Sequence, residues 1–256
     1  MKTNILTILA VVLSLRPAHA AYEDVGVSPR AVGMGGAFTA VADDAYAIHY
    51  NPAGLATLGR PEVAASYARL LTGLSDNSNV SNTFMAYAKP IAEGKKGTVG
   101  AALNLFSVQS LYRETSFFGS YGRALFEDRY PGQLYGGLSL KVLSRSMTPG
   151  SAATQALDDT GLAVGADPAL QSTSKTNLDI DWGLLYRPRP RWNLGLMVQH
   201  FLEPNVAFQS GATDKLGRSI KLGAAYRTAW STLALDVGFP TAPDGSLDKT
   251  AAIAAE

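Results

Sequence analysis

The chain contains no cysteine. That excludes a disulfide framework, a thiol nucleophile, a cysteine-ligated zinc site and a lipid anchor carried on cysteine. Histidine is nearly as scarce, at three in 256 residues, which leaves no material for a histidine-rich metal centre. Charge of either sign is also sparse. Only 17% of residues are Asp, Glu, Lys or Arg, and 22 Lys+Arg against 21 Asp+Glu give a net charge of +1. A surface without a basic surplus is no nucleic-acid binder, and a chain that is 46% hydrophobic is not a disordered one. No apolar run reaches the roughly 18 residues that a membrane-crossing helix needs.

What is present begins with an export signal. Met1-Lys2 is followed by an apolar run from Ile5 to Leu15, and Ala18-His19-Ala20 has the small-x-small form of a cleavage site. Eleven helical residues rise only about 16 Å, too little for a hydrocarbon core of about 30 Å. Residues 1–20 are therefore read as a signal peptide, and the mature chain as exported.

From residue 60 onward the apolar period is two. Leu178, Ile180, Trp182, Leu184 and Tyr186 share one face, opposite Asn177, Asp179, Asp181, Gly183 and Arg187, with Leu185 the exception. Ile220, Leu222, Ala224 and Tyr226 likewise oppose Ser219, Lys221, Gly223, Ala225 and Arg227. Such stretches are strands with one oily face and one small or polar face. Ten are expected, near 62–69, 81–89, 97–106, 115–125, 133–143, 177–187, 192–200, 218–227, 231–239 and 249–256.

Their connections alternate in length. Pro90–Lys96, Phe126–Gly132, Pro188–Arg191 and Thr228–Trp230 are short, whereas Leu70–Val80, Ser107–Glu114, Ser144–Thr176, Phe201–Gly217 and Pro240–Asp248 tend to be longer. Short turns at one rim and longer loops at the other characterise an outer-membrane barrel, as do strands of about 9–11 residues. The oily face then meets lipid, with Tyr186, Trp192, Tyr226 and Trp230 near the short-turn rim as an aromatic girdle. A soluble exported β-sandwich also alternates and is the rival fold.

Residues 26–58 do not alternate. They carry Gly33-Met-Gly35-Gly36-Ala-Phe38, then Ala42-Asp43-Asp44-Ala45, then Tyr50-Asn51-Pro52-Ala53-Gly54-Leu55. Asp43 and Asp44 suit the start of a short helix over Ala45 to Tyr50, and Asn51-Pro52 opens a turn. This run resembles the N-terminal signature of PorV/PorQ-type outer-membrane proteins, relatives of the FadL long-chain fatty-acid transporters. The stretches from Asp181 to His200 and from Ile220 to Arg227 are similar to the same family. The resemblance implies a transmembrane antiparallel β-barrel of about fourteen strands whose N-terminal segment folds inside as a hatch. Residues 21–60 would form that hatch and residues 61–256 the barrel. Ten strands are an even count and can close, but a narrower lumen leaves little room for a hatch of some thirty residues. The expectation is a fourteen-stranded barrel whose C-terminal strands are missing.

By the same analogy Gly33, Gly35, Gly36, Asp43, Asp44, Asn51, Pro52, Ala53 and Gly54 are the hatch and gate residues, with the Asn51–Gly54 turn as the moving part. Phe38, Leu55 and Leu58 are the expected apolar lining. Lys141, Asp179, Asp181, Arg187, Lys221 and Arg227 fall on the lumen face and should pair with one another, with the hatch or with water. Arg187 and Arg227, near the short-turn rim, are placed to hold Asp43 or Asp44.

Little points to catalysis. No Gly-x-Ser-x-Gly elbow accompanies His49 or His200, which read as hatch packing and as a girdle or rim residue. Asp43-Asp44, and Asp158-Asp159 with Asp167, lack the regular oxygen spacing of a calcium loop. Gly33-Met-Gly-Gly follows no strand and opens no βαβ unit, so no nucleotide site is expected. No cofactor or metal is therefore expected, and no enzyme. The expectation is a monomeric barrel in outer-membrane lipid that passes a small hydrophobic molecule without energy input, gated by the hatch. The alternative from another class is a docking barrel for an exported protein in type IX-like secretion or surface attachment, worked by its loops.

Overall fold

A strand with one apolar face needs something apolar on that side and hydrogen bonds along its edges. Ten strands here supply the hydrogen bonds to one another by pairing in chain order, in a computed structural model that describes residues 22, 24–73, 79–129, 132–149, 155–157, 163–166, 172–209, 211–241 and 250–256. Residues 1–20, expected to be a signal peptide, and Asp158, Asp159 and Asp167 lie outside the described residues. The strands are β1 (Glu62–Leu71), β2 (Val80–Pro90), β3 (Thr98–Val108), β4 (Tyr112–Arg129), β5 (Gly132–Met147), β6 (Gln155–Leu157), β7 (Ala163–Ala166), β8 (Thr173–Arg189), β9 (Trp192–Gln199), β10 (Ser219–Arg227), β11 (Thr232–Pro240) and β12 (Thr250–Ala255). One antiparallel sheet runs β1-β2-β3-β4-β5-β8-β9-β10-β11-β12, and β6 and β7 make a separate ribbon. This is the wall of an outer-membrane β-barrel.

The oily face points outward. Val63, Tyr67, Met85, Phe117, Leu138, Leu140, Leu178, Leu194, Leu222 and Leu233 are all exposed. Ser120, Ser139, Lys141, Asp179, Asp181, Asn193 and Asp236 are buried on the other side. A soluble sandwich buries its apolar face, so this inversion removes the rival fold. Leu185 breaks the alternation because it packs inward on Ala53 and Tyr135.

The connections differ from expectation in two places. Ser107–Glu114 is no long loop: β3 and β4 pair up to Val108 and Tyr112, leaving a tight turn. β5 and β8 pair from Met147 and Thr173 to Gln133 and Arg187, which shortens the loop expected over Ser144–Thr176, and the β6–β7 ribbon fills part of it. At the opposite rim β4 and β5 pair as far as Arg129 and Gly132. Periodicity runs past the lipid-facing stretch, and turn residues alone do not reveal that.

Inside the wall sits an N-terminal segment of short helices. Helix α1 (Pro29–Gly33) starts with Pro29 in its first turn and with Ser28 Oγ accepting from Ala31 N at 3.3 Å. Gly35 and Gly36 then turn the chain at φ of 55° and 86°, a left-handed conformation open to glycine. Helix α2 (Ala47–Tyr50) is shorter than the expected Ala45–Tyr50, and Asp44 Oδ1 accepts from Tyr46 N just before it. Asn51 caps a 3-10 helix over Pro52–Thr57. The segment touches both ends of the sheet: Ser66 Oγ on β1 donates to Val27 O at 2.5 Å, and Arg30 pairs with Glu256 beyond β12 at 2.7 Å.

Candidate functional site: the hatch seat and the lumen

Glycines on the polar face of the wall mark where the hatch lies. Gly122, Gly137 and Gly183 stand directly opposite one another on β4, β5 and β8, and Gly195 faces Gly223 across β9 and β10. A side chain on any of them would collide with hatch atoms. At Gly122 a Cβ would come within 2.6 Å of Pro52 O, at Gly195 within 2.5 Å of Thr39 O, and at Gly223 within 2.9 Å of Ala40 N. At Gly137 it would run into Pro52 and Ala53, and at Gly183 into Asn51. The belt lets hatch backbone lie directly on wall backbone.

Polar groups lock the same contact. Buried Asn51 donates through Nδ2 to Thr39 O at 2.8 Å and to Leu184 O on the wall at 3.2 Å, while its Oδ1 accepts from Ala53 N. Asn193 Nδ2 donates to Ala40 O at 3.0 Å. Asp236 Oδ2 accepts from the backbone N–H groups of Phe38 and Thr39 at 3.0 and 2.9 Å. Asn51, Ala53 and Gly54 are wholly or almost wholly buried, so the turn expected to move is packed against the wall in this structure.

Near the short-turn ends of the strands, Asp43 accepts from Arg227 Nη2 at 2.5 Å and from Arg30 Nη1 at 2.6 Å. Arg187 holds neither hatch carboxylate and instead covers the Tyr135 ring at 5.3 Å. Burial, with Asp43 and Glu62 adding repulsion, pushes the Asp44 carboxyl up to about 6, against the pull of the Tyr46 N–H and Arg30. The charges near Asp24 act the other way. Its burial is outweighed by Lys221 Nζ at 3.1 Å and His49 Nε2 at 3.2 Å, which hold the carboxyl well below its usual range.

The remaining lumen charges converge. Lys141 Nζ lies 2.6 Å from Asp181 Oδ1, 3.0 Å from Asp179 Oδ2 and 3.3 Å from His200 Nδ1. His200 Nδ1 also meets Asp179 Oδ2 at 2.6 Å, and His200 N donates to Asp181. His200 is thus a lumen residue, not the girdle or rim residue expected. Asp179, Asp181 and His200 could by their spacing hold a metal ion, but the Lys141 ammonium already occupies the cation position.

Phe38, Leu55 and Leu58, expected to line an open apolar path, are buried in a core that the hatch shares with wall residues such as Phe84, Phe118 and Ala225, with Phe38 edge-on to Tyr50 at 5.2 Å. A cavity of about 70 Å³, open towards solvent, lies instead between the hatch and the long-loop half of the wall, among residues that include Asp24, His49, Asn82, Asn104, Glu114, Lys141 and His200. Its lining is mixed polar and aromatic, and none of the three expected residues belongs to it.

An outward apolar wall around a polar interior, with the N-terminal segment packed inside it, fits an outer-membrane β-barrel protein. The chain belongs to the type IX secretion system membrane protein PorP/SprF family, whose sequence model matches residues 45–251. That match names PorP/SprF and not the PorV/PorQ type that the glycine-rich run resembles. In fold the chain is similar to the CymD monoaromatic hydrocarbon channel, at a TM-score of 0.55 and 14% identity over 90% of this chain and 72% of that one. It is also similar to a Pseudomonas aeruginosa FadL homologue, at a TM-score of 0.49 and 12% identity over 88% and 71% of the two chains. Comparison with the curated proteins finds no match.

Proposed function

We propose that this protein is a non-enzymatic docking barrel of type IX secretion, a monomer in outer-membrane lipid that binds an exported protein or a secretion component. One observation carries the reading: the hatch backbone rests on the Gly122–Gly137–Gly183 and Gly195–Gly223 belt, with the Phe38 and Thr39 amides bonded to Asp236 and the Ala40 carbonyl to Asn193 of the wall. Packed interfaces of this kind have discrete states and do not slide. Passage of a hydrophobic compound through the lumen would require breaking those contacts at every turnover. The family match favours secretion, and the likeness to CymD is one of fold, which does not by itself carry function. The working surface is then the long-loop rim.

The absence of native cysteine makes the test clean. Cysteines placed at Asp43 and Arg227 and joined by a short bis-maleimide fix the hatch to β10. A docking barrel keeps secretion and its co-purifying protein when locked. Loss of secretion on locking, with a stoichiometric apolar small molecule in native mass spectrometry and no protein companion, would overturn the reading in favour of gated passage.

A further inference from the structure

Four of the residues that line the cavity each carry a buried polar atom with no hydrogen-bond partner among the described residues: Asn82 Oδ1, Asn104 Oδ1, His49 Nδ1 and the Tyr22 hydroxyl. Asn82 is itself only 3% exposed. The register sets Asn104 opposite Phe84 on β2 and Ser116 on β4, so Asn82 lies one diagonal step away, at roughly 7–8 Å. Two asparagines thus line one space from adjacent strands, with Phe106 and Phe118 lining it too.

We propose that this cavity binds a small neutral hydroxylated ligand of saccharide type, entering from the long-loop side. The choice follows from what the walls already hold. A hydrocarbon would leave all four polar atoms dry, at a cost of about 1–3 kcal/mol for each. A cationic ligand meets cations in place, because Lys141 holds Asp179 and Asp181, and Lys221 holds Asp24. An anion would face Asp24, Glu114 and Asp181. A sugar ring offers several hydroxyls, each both donor and acceptor, to the Asn82 and Asn104 oxygens and the His49 nitrogen. Its C–H faces are apolar enough to lie on Phe106 or Phe118. Pockets of this sort combine an apolar surface with a few placed polar groups.

The test uses the full chain in lipid nanodiscs, free of any sugar-headed detergent. Saturation-transfer NMR is run with glucose, galactose, N-acetylglucosamine, maltose and trehalose, and with toluene and putrescine as apolar and cationic probes. The expected result is saturable binding of at least one of these sugars, weakened about tenfold or more by Asn82→Leu and by Asn104→Leu. Both variants should keep the heat-modifiable gel shift of a folded barrel. A merely structural role for these amides would leave affinity unchanged and raise thermal stability on removal of an unpaired polar group. If either variant fails to insert, Phe106→Leu keeps an apolar side chain and must still weaken the sugar by removing the ring face. The proposal is overturned if none of the five sugars saturates, if binding survives unchanged in the folded variants, or if toluene or putrescine alone binds.

Discussion

Arg227, on strand β10, reaches across the lumen to Asp43 of the hatch, Nη2 to Oδ2 at 2.5 Å, while Arg30 of the hatch holds the other Asp43 oxygen at 2.6 Å. One carboxylate therefore ties the hatch to the wall and to itself. Because Arg30 also pairs with Glu256, the chain of charges runs from β10 through the hatch to the end of β12.

Asp43→Asn and Arg227→Gln should each loosen the hatch by about 1–2 kcal/mol, the range for charged hydrogen bonds that remain about a quarter to a third exposed. Limited proteolysis of residues 24–58 in folded barrels measures it. The exchanged pair Asp43→Arg with Arg227→Asp should restore only part of the loss, because the new arginine then faces Arg30. Full restoration would show that Arg30 contributes nothing.

Gly137→Ala should unseat the hatch, since the added methyl meets the Pro52–Ala53 backbone, with an overpacking cost of about 1–3 kcal/mol or more. Gly119→Ala on the outward face of β4, where nothing lies within 4 Å, is the control and should change little. Equal proteolysis of the two variants would mean that the belt is not the seat.

Lys141→Met leaves Asp179 and Asp181 buried without their cation and should cost about 3–5 kcal/mol. The triple change with Asp179→Asn and Asp181→Asn should recover much of this in thermal unfolding. A single variant as stable as the parent would mean that the cluster takes its positive charge from His200 instead.

Asp44 sets a pH dependence of hatch seating. Its folded pKa, about 6, lies above the ordinary value of 3.8, so its stabilising contribution is full below about pH 4 and is lost as pH rises through 6. Asp44→Asn keeps the acceptor for Tyr46 N and removes the charge. It should flatten the stability profile between pH 4 and 7 and raise the melting temperature at pH 7.5 by roughly 2–4 °C, equivalent to about 1 kcal/mol after solvent screening. A profile identical to the parent's would place the titration elsewhere.

The strands, their faces and most of their bounds were legible in the chain because alternation with period two is a local property. Where it failed, as at Ser107–Glu114 and beyond Ser144, turn residues were read as loop where pairing simply continued. The gate and lining assignments came from analogy; in the structure Asn51 is bonded to the wall, and Phe38, Leu55 and Leu58 are buried in a core shared by the N-terminal segment and the wall. Two glycines on the polar faces, Gly183 and Gly223, were visible in the alternation. Their role was not, since a glycine in a strand does not say what approaches it.

Composition and periodicity by themselves determined that this chain makes strands with one apolar and one polar face, because hydropathy needs no partner to be read. Only the tertiary structure decided that Lys141 meets His200, that Arg227 and not Arg187 holds Asp43, and that Asn82 and Asn104 face one cavity. Those contacts join residues distant in the chain, and their geometry depends on wall curvature and on how deep the hatch sits.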